Sequence, residues 1–396
     1  MSTKRVVLAS LIMLLAMPLS KVAAQEATTP PIDFERWARF VVNDLLATQP
    51  HERYVFMADP SYFPEFIDAL RAEFLEVRAV ELGTILFDGR RTREARREFT
   101  PRDSDPEYKR LSDEAMRRLL EDADIFLWLP YRYGPGEESE DHRLMEHLVD
   151  GIPARGLHFH WVWNLGQFGF PVTQGDVEEL GRMYEEALDI DYDELSAHQD
   201  RIIAALQGRE LRITTPAGTD LRMQVPEDAW FHKNDGRLDR EKAARARAVR
   251  DREMELPAGA LRFIPDVTTT QGVFVAPEWR GGRNVRFEFR NGLIASVSAE
   301  ENEEAVLEVW AAGTGDKDRV AEIVIGTNPK LPSEGPDEFL PPYFGYGAGV
   351  LRVAFGDNWE SGGSNRSNME AWFYITDATI TVGSTSIVEA GVLVLP

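Results

Sequence analysis

The chain has 396 residues, with 67 Asp or Glu against 44 Lys or Arg, so its formal net charge at pH 7 is −23. A field of that sign repels nucleic acid and anionic lipid, which excludes polyanions as partners. Because there is no cysteine, stability depends on burial of a core rather than on disulfides, and the length is sufficient for two domains.

The first residues predict export. Lys4 and Arg5 precede an apolar run over residues 6–19, and small residues at 22–24 suit cleavage after Ala24. The run is shorter than the roughly 20 residues that span a bilayer, and the pattern is typical of a signal peptide. We therefore expect loss of residues 1–24, a periplasmic or extracellular protein, and no membrane association after cleavage. An uncleaved N-terminal anchor helix is the alternative.

The next part of the chain alternates helices and strands, which predicts a doubly wound parallel sheet covered on both faces. We assign this N-terminal α/β domain to residues 25–208. Its predicted strands are 54–59, 77–82, 124–129 and 158–163, and its predicted helices are 34–46, 62–74, 107–120, 141–149 and 177–206. His158 and His160 lie on one face of the last strand. They would suit a metal ion, but a half-exposed strand with no Cys or acid nearby is the favoured interpretation.

The remainder, residues 209–396, predicts a β-rich α+β domain with a cleft between it and the first domain. Short apolar strands are expected at 211–214, 220–225, 272–275, 285–289 and 293–297, with turn residues between them and one helix at 301–310. Residues 237–255 are rich in Arg, Lys and Glu. That composition predicts a solvated connector with helical charge pairs.

Six segments of this second half, together with the helical stretch around His198 and Gln199, resemble the thermophilic metallo-aminopeptidase family typified by aminopeptidase T. In chain order they are 218–221, 256–272, 285–297, 322–329, 354–356 and 362–367. The resemblance implies an exopeptidase with two divalent ions in the cleft, held by carboxylates, two His and a Tyr. One ion would hold the free amine while the other, or a shared hydroxide, attacks the carbonyl.

Most of the ligand positions that the resemblance implies carry residues that cannot bind a metal. They fall on Ala260, Glu322, Arg352, Trp359, Glu370 and Trp372, and residues 233–396 contain neither His nor Cys. Only Glu322 and Glu370 offer a carboxylate, whereas each ion of a pair needs several anionic or imidazole donors. We therefore predict that no metal or other cofactor is bound and that the protein is non-catalytic.

Three functions remain open from the sequence. The favoured one is binding of a peptide-like ligand or a protein partner in the cleft, through Arg352, Trp359, Trp372 and Tyr346. Arg352 would recognise a carboxylate, or it would pair with Glu322 in place of a metal. The aromatic residues would equally serve as core.

The alternative is an active aminopeptidase or hydrolase with a redesigned carboxylate site, in which Glu322 and Glu370 are the catalytic candidates. Asp357 and Glu360 would join them around Ca²⁺ or Mg²⁺. The third is a structural subunit of an oligomer, with a homodimer as the simplest case.

Overall fold

The computed structural model describes residues 32–58, 64–86, 106–129, 152–160, 174–334 and 343–395. The predicted signal peptide and the helix predicted at 141–149 lie outside these ranges. Within them, no helix is long and apolar enough to cross a membrane.

The helices flank three sheets. They are α1 (Phe34–Arg39), continued by a π-helical turn (Phe40–Leu45), α2 (Pro64–Glu76), α3 (Pro106–Glu121), α4 (Gln174–Leu188), α5 (Tyr192–Leu206), α6 (Arg240–Ala244) and α7 (Glu303–Ala312). The strands are β1 (Arg53–Ala58), β2 (Val80–Leu86), β3 (Ile125–Trp128), β4 (Arg155–Phe159), β5 (Arg209–Thr214), β6 (Asp220–Val225), β7 (Phe231–Lys233), β8 (Glu253–Leu256), β9 (Ala260–Phe263), β10 (Asp266–Trp279), β11 (Gly282–Arg290), β12 (Leu293–Ser298), β13 (Val320–Gly326), β14 (Leu351–Gly356), β15 (Glu370–Ile375), β16 (Thr379–Val382), β17 (Thr385–Glu389) and β18 (Val392–Leu393).

The first sheet is parallel and has the strand order β2-β1-β3-β4-β8. The order in which strands are added reverses between β1 and β3, as in doubly wound sheets, where ligands bind beyond the carboxyl ends of the strands. All residues of β3 are buried, and so are all of β1 except Arg53. Continuous apolar runs of this kind belong to strands covered on both faces.

Two antiparallel sheets form the second half of the molecule. An eight-stranded sheet, β12-β11-β10-β6-β5-β16-β17-β18, packs against a five-stranded sheet, β15-β14-β13-β9-β7. Their shared core holds Phe274, Phe287, Phe355 and Phe373, with the Phe355 and Phe373 ring centroids 5.0 Å apart. Burial alternates along β6, as expected of a strand with one face in the core.

The five-stranded sheet also packs against the first sheet. In β13 the side chains of Ile323 and Ile325 join the core between the antiparallel sheets, whereas Val324 joins the core of the first sheet. Alternation along a strand therefore turns Glu322 toward the first sheet as well. This places Glu322 between the first sheet and the five-stranded sheet.

The expectation of a solvated connector at 237–255 is wrong at its end. Glu253 and Glu255 lie in β8, which pairs with β4, and both are buried. The chain then reaches β9 in the five-stranded sheet after only three more residues, so residues 253–263 tie the first sheet to the third. Charge in the sequence was a misleading signal here, because ion pairs described below allow these carboxylates to be buried.

Candidate functional site

Four glutamates and three arginines meet where β8 and β9 join the two halves of the chain. They are Arg250, Glu253, Glu255, Arg262, Glu322, Arg352 and Glu360, and we call them the charged cluster. Strand register explains the centre of the cluster. Val324 on β13 is paired with Arg262 on one side and with Arg352 on the other. Both arginines thus point to the same face as Glu322, two residues from Val324.

Both central guanidinium groups contact the same carboxylate oxygen. Glu322 Oε1 accepts from Arg262 Nη1 at 3.1 Å and from Arg352 Nη2 at 2.5 Å, while Oε2 accepts from Ser361 Oγ at 2.9 Å. Burial alone would raise the pKa of Glu322, but the positive charges of Arg262 and Arg352 outweigh it and lower that pKa to about 2. Glu322 is therefore ionised in the folded protein.

The two arginines are enclosed by the protein. The side chain of Arg352 is 0% exposed, lies 4.3 Å over the ring of Trp372 and donates to the carbonyl oxygen of Phe344. Arg262 is 2% exposed and uses its second terminal nitrogen to reach Glu255 Oε2 at 2.6 Å and the hydroxyl of Tyr346. Each guanidinium group thus hydrogen-bonds to groups inside the protein.

The remaining predicted site residues take different positions around the charged cluster. Ala260 is buried at the start of β9, Tyr346 is buried against Arg262, and Trp359 is half-buried against the first-sheet core around Val249. Glu370 is exposed at the start of β15, where it accepts from Trp372 Nε1 at 2.6 Å. Whether Arg352, Trp359, Trp372 or Tyr346 touches a ligand stays a prediction.

The carboxylates that the sequence proposed as a Ca²⁺ or Mg²⁺ cluster have separate partners. Glu322 is held by arginines, and Glu360 pairs with Arg250. Asp357 accepts from the backbone N–H groups of Trp359 and Ser367. Among the described residues, no three of the four acids, Glu370 included, place ligand atoms within 4.8 Å of one another.

A histidine pair borders the charged cluster. His158 Nδ1 lies 2.6 Å from Glu253 Oε1, His160 Nε2 lies 3.1 Å from Glu255 Oε1, and the two imidazole rings are 3.8 Å apart. Burial, followed by the neighbouring His158, lowers the pKa of His160 to about 4, so this imidazole is neutral at pH 7. The expectation of no acid near these histidines is wrong, because β8 pairs with β4 and supplies two.

Comparison with known proteins gives a fold. No protein-family model matches the chain, and neither does any curated protein. Among solved structures, wild-type AmpT from Thermus thermophilus matches with a TM-score of 0.65 and 18% identity, over 91% of this chain and 98% of that chain. The fold is aminopeptidase-like. A 2,5-dihydroxypyridine dioxygenase from Pseudomonas putida KT2440 also matches, with a TM-score of 0.57 and 15% identity, over 92% of this chain and 97% of that chain.

These matches confirm the aminopeptidase-like fold that the six sequence segments predicted. They do not select a reaction, because a peptidase name and a dioxygenase name occur on the same fold. Function has to be argued from the charged cluster and its surroundings.

Proposed function

We propose that this chain is an exported, non-catalytic protein with an aminopeptidase-like fold, in which arginines replace the pair of divalent ions that the resemblance implies. The supporting observation is the convergence of Arg262 and Arg352 on Glu322, the one ligand position of the implied metal site that keeps a buried carboxylate. Two guanidinium groups supply positive charge where the two ions would supply it. They keep the shape of the site without its chemistry.

Arginine cannot perform the steps that a metal-dependent peptidase needs. A guanidinium group has no open coordination position, so it neither activates a water molecule as a bound metal does nor accepts a proton as a general base. Burial would lower the pKa of Arg262, but Glu255 and Tyr346 outweigh it and raise that pKa, so the cation is permanent. Glu322, ionised and bonded on both oxygens, is equally unavailable for proton transfer.

Ligand binding is placed in this proposal at the surface around Trp372 and Glu370. The half-buried ring of Trp372 lies against the guanidinium group of Arg352, which donates to the Phe344 carbonyl, and the exposed carboxylate of Glu370 lies next to Trp372. An aromatic ring beside an exposed carboxylate suits a peptide-like ligand whose amino group pairs with Glu370. In this proposal Arg352 supports Trp372 from behind and does not contact the ligand.

The catalytic part of the proposal predicts no aminopeptidase activity. The purified protein, with Zn²⁺, Co²⁺ or Mn²⁺ added, should not hydrolyse a panel of aminoacyl substrates above the rate without protein. Thermus thermophilus AmpT, assayed under the same conditions, is the positive control. Hydrolysis that a chelator abolishes and added metal restores would overturn the non-catalytic proposal.

The binding part predicts a thermal shift with peptides that depends on Glu370. Short peptides with a free amino terminus should raise the melting temperature of the unmodified protein, and Glu370→Gln should reduce that shift by most of its size. Glu389→Gln, an exposed change on β17, should leave the shift unchanged. The absence of a shift across peptides of varied sequence, or an equal shift in Glu370→Gln, would refute peptide binding at this place.

A further inference from the structure

We infer that His158, His160 and Glu255 bind one transition-metal ion of the zinc type, at a place distinct from the metal positions implied by the resemblance. Each of the three residues offers one ligand atom, and these atoms lie within 4.8 Å of one another. In the part of the chain that the structure describes, no other such group is found. Two imidazoles and one carboxylate are a donor set typical of zinc with an open position.

The residues behind the three ligands hold them as metal ligands are usually held. Glu253 contacts Nδ1 of His158 at 2.6 Å, which fixes the imidazole tautomer and leaves Nε2 as the nitrogen with a free lone pair. Arg262 holds Oε2 of Glu255 at 2.6 Å, and Oε1, which lies 3.1 Å from His160 Nε2, would face the ion in place of that contact. A carboxylate behind a ligating histidine and a hydrogen-bonded ligating carboxylate are the two supports that metal sites commonly have.

The aromatic surroundings orient the imidazole rings. His158 stacks on Trp128 with ring centroids 4.5 Å apart, and His160 lies 4.5 Å from the ring of Phe344. The two histidine side chains are 14% and 12% exposed. Ligands with fixed orientation and little water around them lose little entropy when an ion binds, which favours tight binding.

The charge of the surroundings favours a cation. The charged cluster contains four carboxylates but three guanidinium groups, and none of these side chains is more than 18% exposed. An unbalanced negative charge in such a place is costly. A divalent cation would compensate that negative charge.

The position in the fold is also one where parallel sheets bind ligands. His160 directly follows β4, and Glu255 lies near the end of the adjacent strand β8, so both are at the carboxyl edge of the first sheet. The metal positions implied by the resemblance lie instead on β9, β13, β14 and β15 and around Trp359. The inferred site is therefore independent of the loss of ligands at those positions.

The test is metal binding by the chelator-treated, dialysed protein. Titration with Co²⁺ should give one ion per chain and a visible absorption band of a four- or five-coordinate ion. His160→Asn should abolish the band, and Glu253→Gln should weaken binding by about 10- to 100-fold. His51→Asn is the matched control. His51 precedes β1 at the amino ends of the strands, whereas the inferred site lies at their carboxyl ends, so this variant should leave binding unchanged.

Two results would overturn the inference: no stoichiometric Co²⁺ in the unmodified protein, or equal affinity in the His160→Asn and His51→Asn variants. Circular dichroism checks that each variant is folded, and the titration of the unmodified protein decides the matter if His160→Asn does not fold. Hydrolysis of aminoacyl substrates that His160→Asn abolishes would support the metal site while refuting the non-catalytic proposal, so the two failures are distinguishable.

Discussion

Replacing Glu322 by glutamine should lower the free energy of unfolding by about 3–5 kcal/mol, the usual loss when one partner of a buried ion pair is removed. Glutamine has nearly the same shape, so the change removes charge without opening a cavity. Arg352 would then be a buried cation without a carboxylate partner, although it would keep its contacts with Trp372 and the Phe344 carbonyl. Urea denaturation followed by tryptophan fluorescence measures the loss.

Two further variants separate this effect from general sensitivity to glutamate replacement. Glu288→Gln changes an exposed pair with Arg290 and should cost less than about 1 kcal/mol. The double variant Glu322→Gln with Arg352→Met should lose about 1–3 kcal/mol less unfolding free energy than the sum of its single variants, because it also removes the unpaired Arg352 cation. Additive losses would contradict the role of Glu322 as the shared partner.

Acid should remove the contribution of Glu322 to stability. Its pKa is about 2 in the folded protein against an ordinary value of 4.5. The stabilisation is therefore fully present above about pH 4.5 and is lost as the pH falls through about 2. At about 1.36 kcal/mol per pKa unit, the loss is about 3 kcal/mol.

The measurement is the free energy of unfolding between pH 6 and pH 2 for the unmodified protein and for Glu322→Gln. The difference in the free energy of unfolding between the two proteins should decrease by about 3 kcal/mol as the pH falls from 6 to 2. Other carboxylates titrate in both proteins and cancel in the difference. A gap that stays constant over this range would show that Glu322 has an ordinary pKa.

Local sequence patterns were sufficient for much of the fold. The apolar run of β3 and the alternation along β6 predicted strands where the structure has them. The predicted boundaries of β2 were wrong: the predicted strand at 77–82 begins three residues before Val80, where the strand begins in the structure. There the chain passes through Arg78 in a left-handed conformation, which periodicity does not signal.

The centre of the site was only half predictable. The pairing of Arg352 with Glu322 was one of the alternatives that the sequence suggested, and the structure shows that pair. Arg262 was missed, since its partner Glu322 is 60 residues away and they meet only through the register of β9 and β13. Its signal was a single charge in an otherwise apolar strand, because a buried arginine needs a partner.

The two acids beside the histidine pair were missed for the same physical reason. His158 and His160 are visible as a pair on one strand, but Glu253 and Glu255 follow 95 residues later. Only the parallel pairing of β4 with β8 brings the two pairs together. Long-range strand pairing is not encoded in the local pattern of either segment.

A crystal structure grown with excess Zn²⁺, with anomalous scattering recorded at the zinc edge, tests the central claim most directly. The account predicts no anomalous peak beside the Glu322 carboxylate, with Arg262 and Arg352 within hydrogen-bonding distance of it. Two zinc peaks bridged by Glu322, with the guanidinium groups displaced, would show that the arginines do not replace the ions.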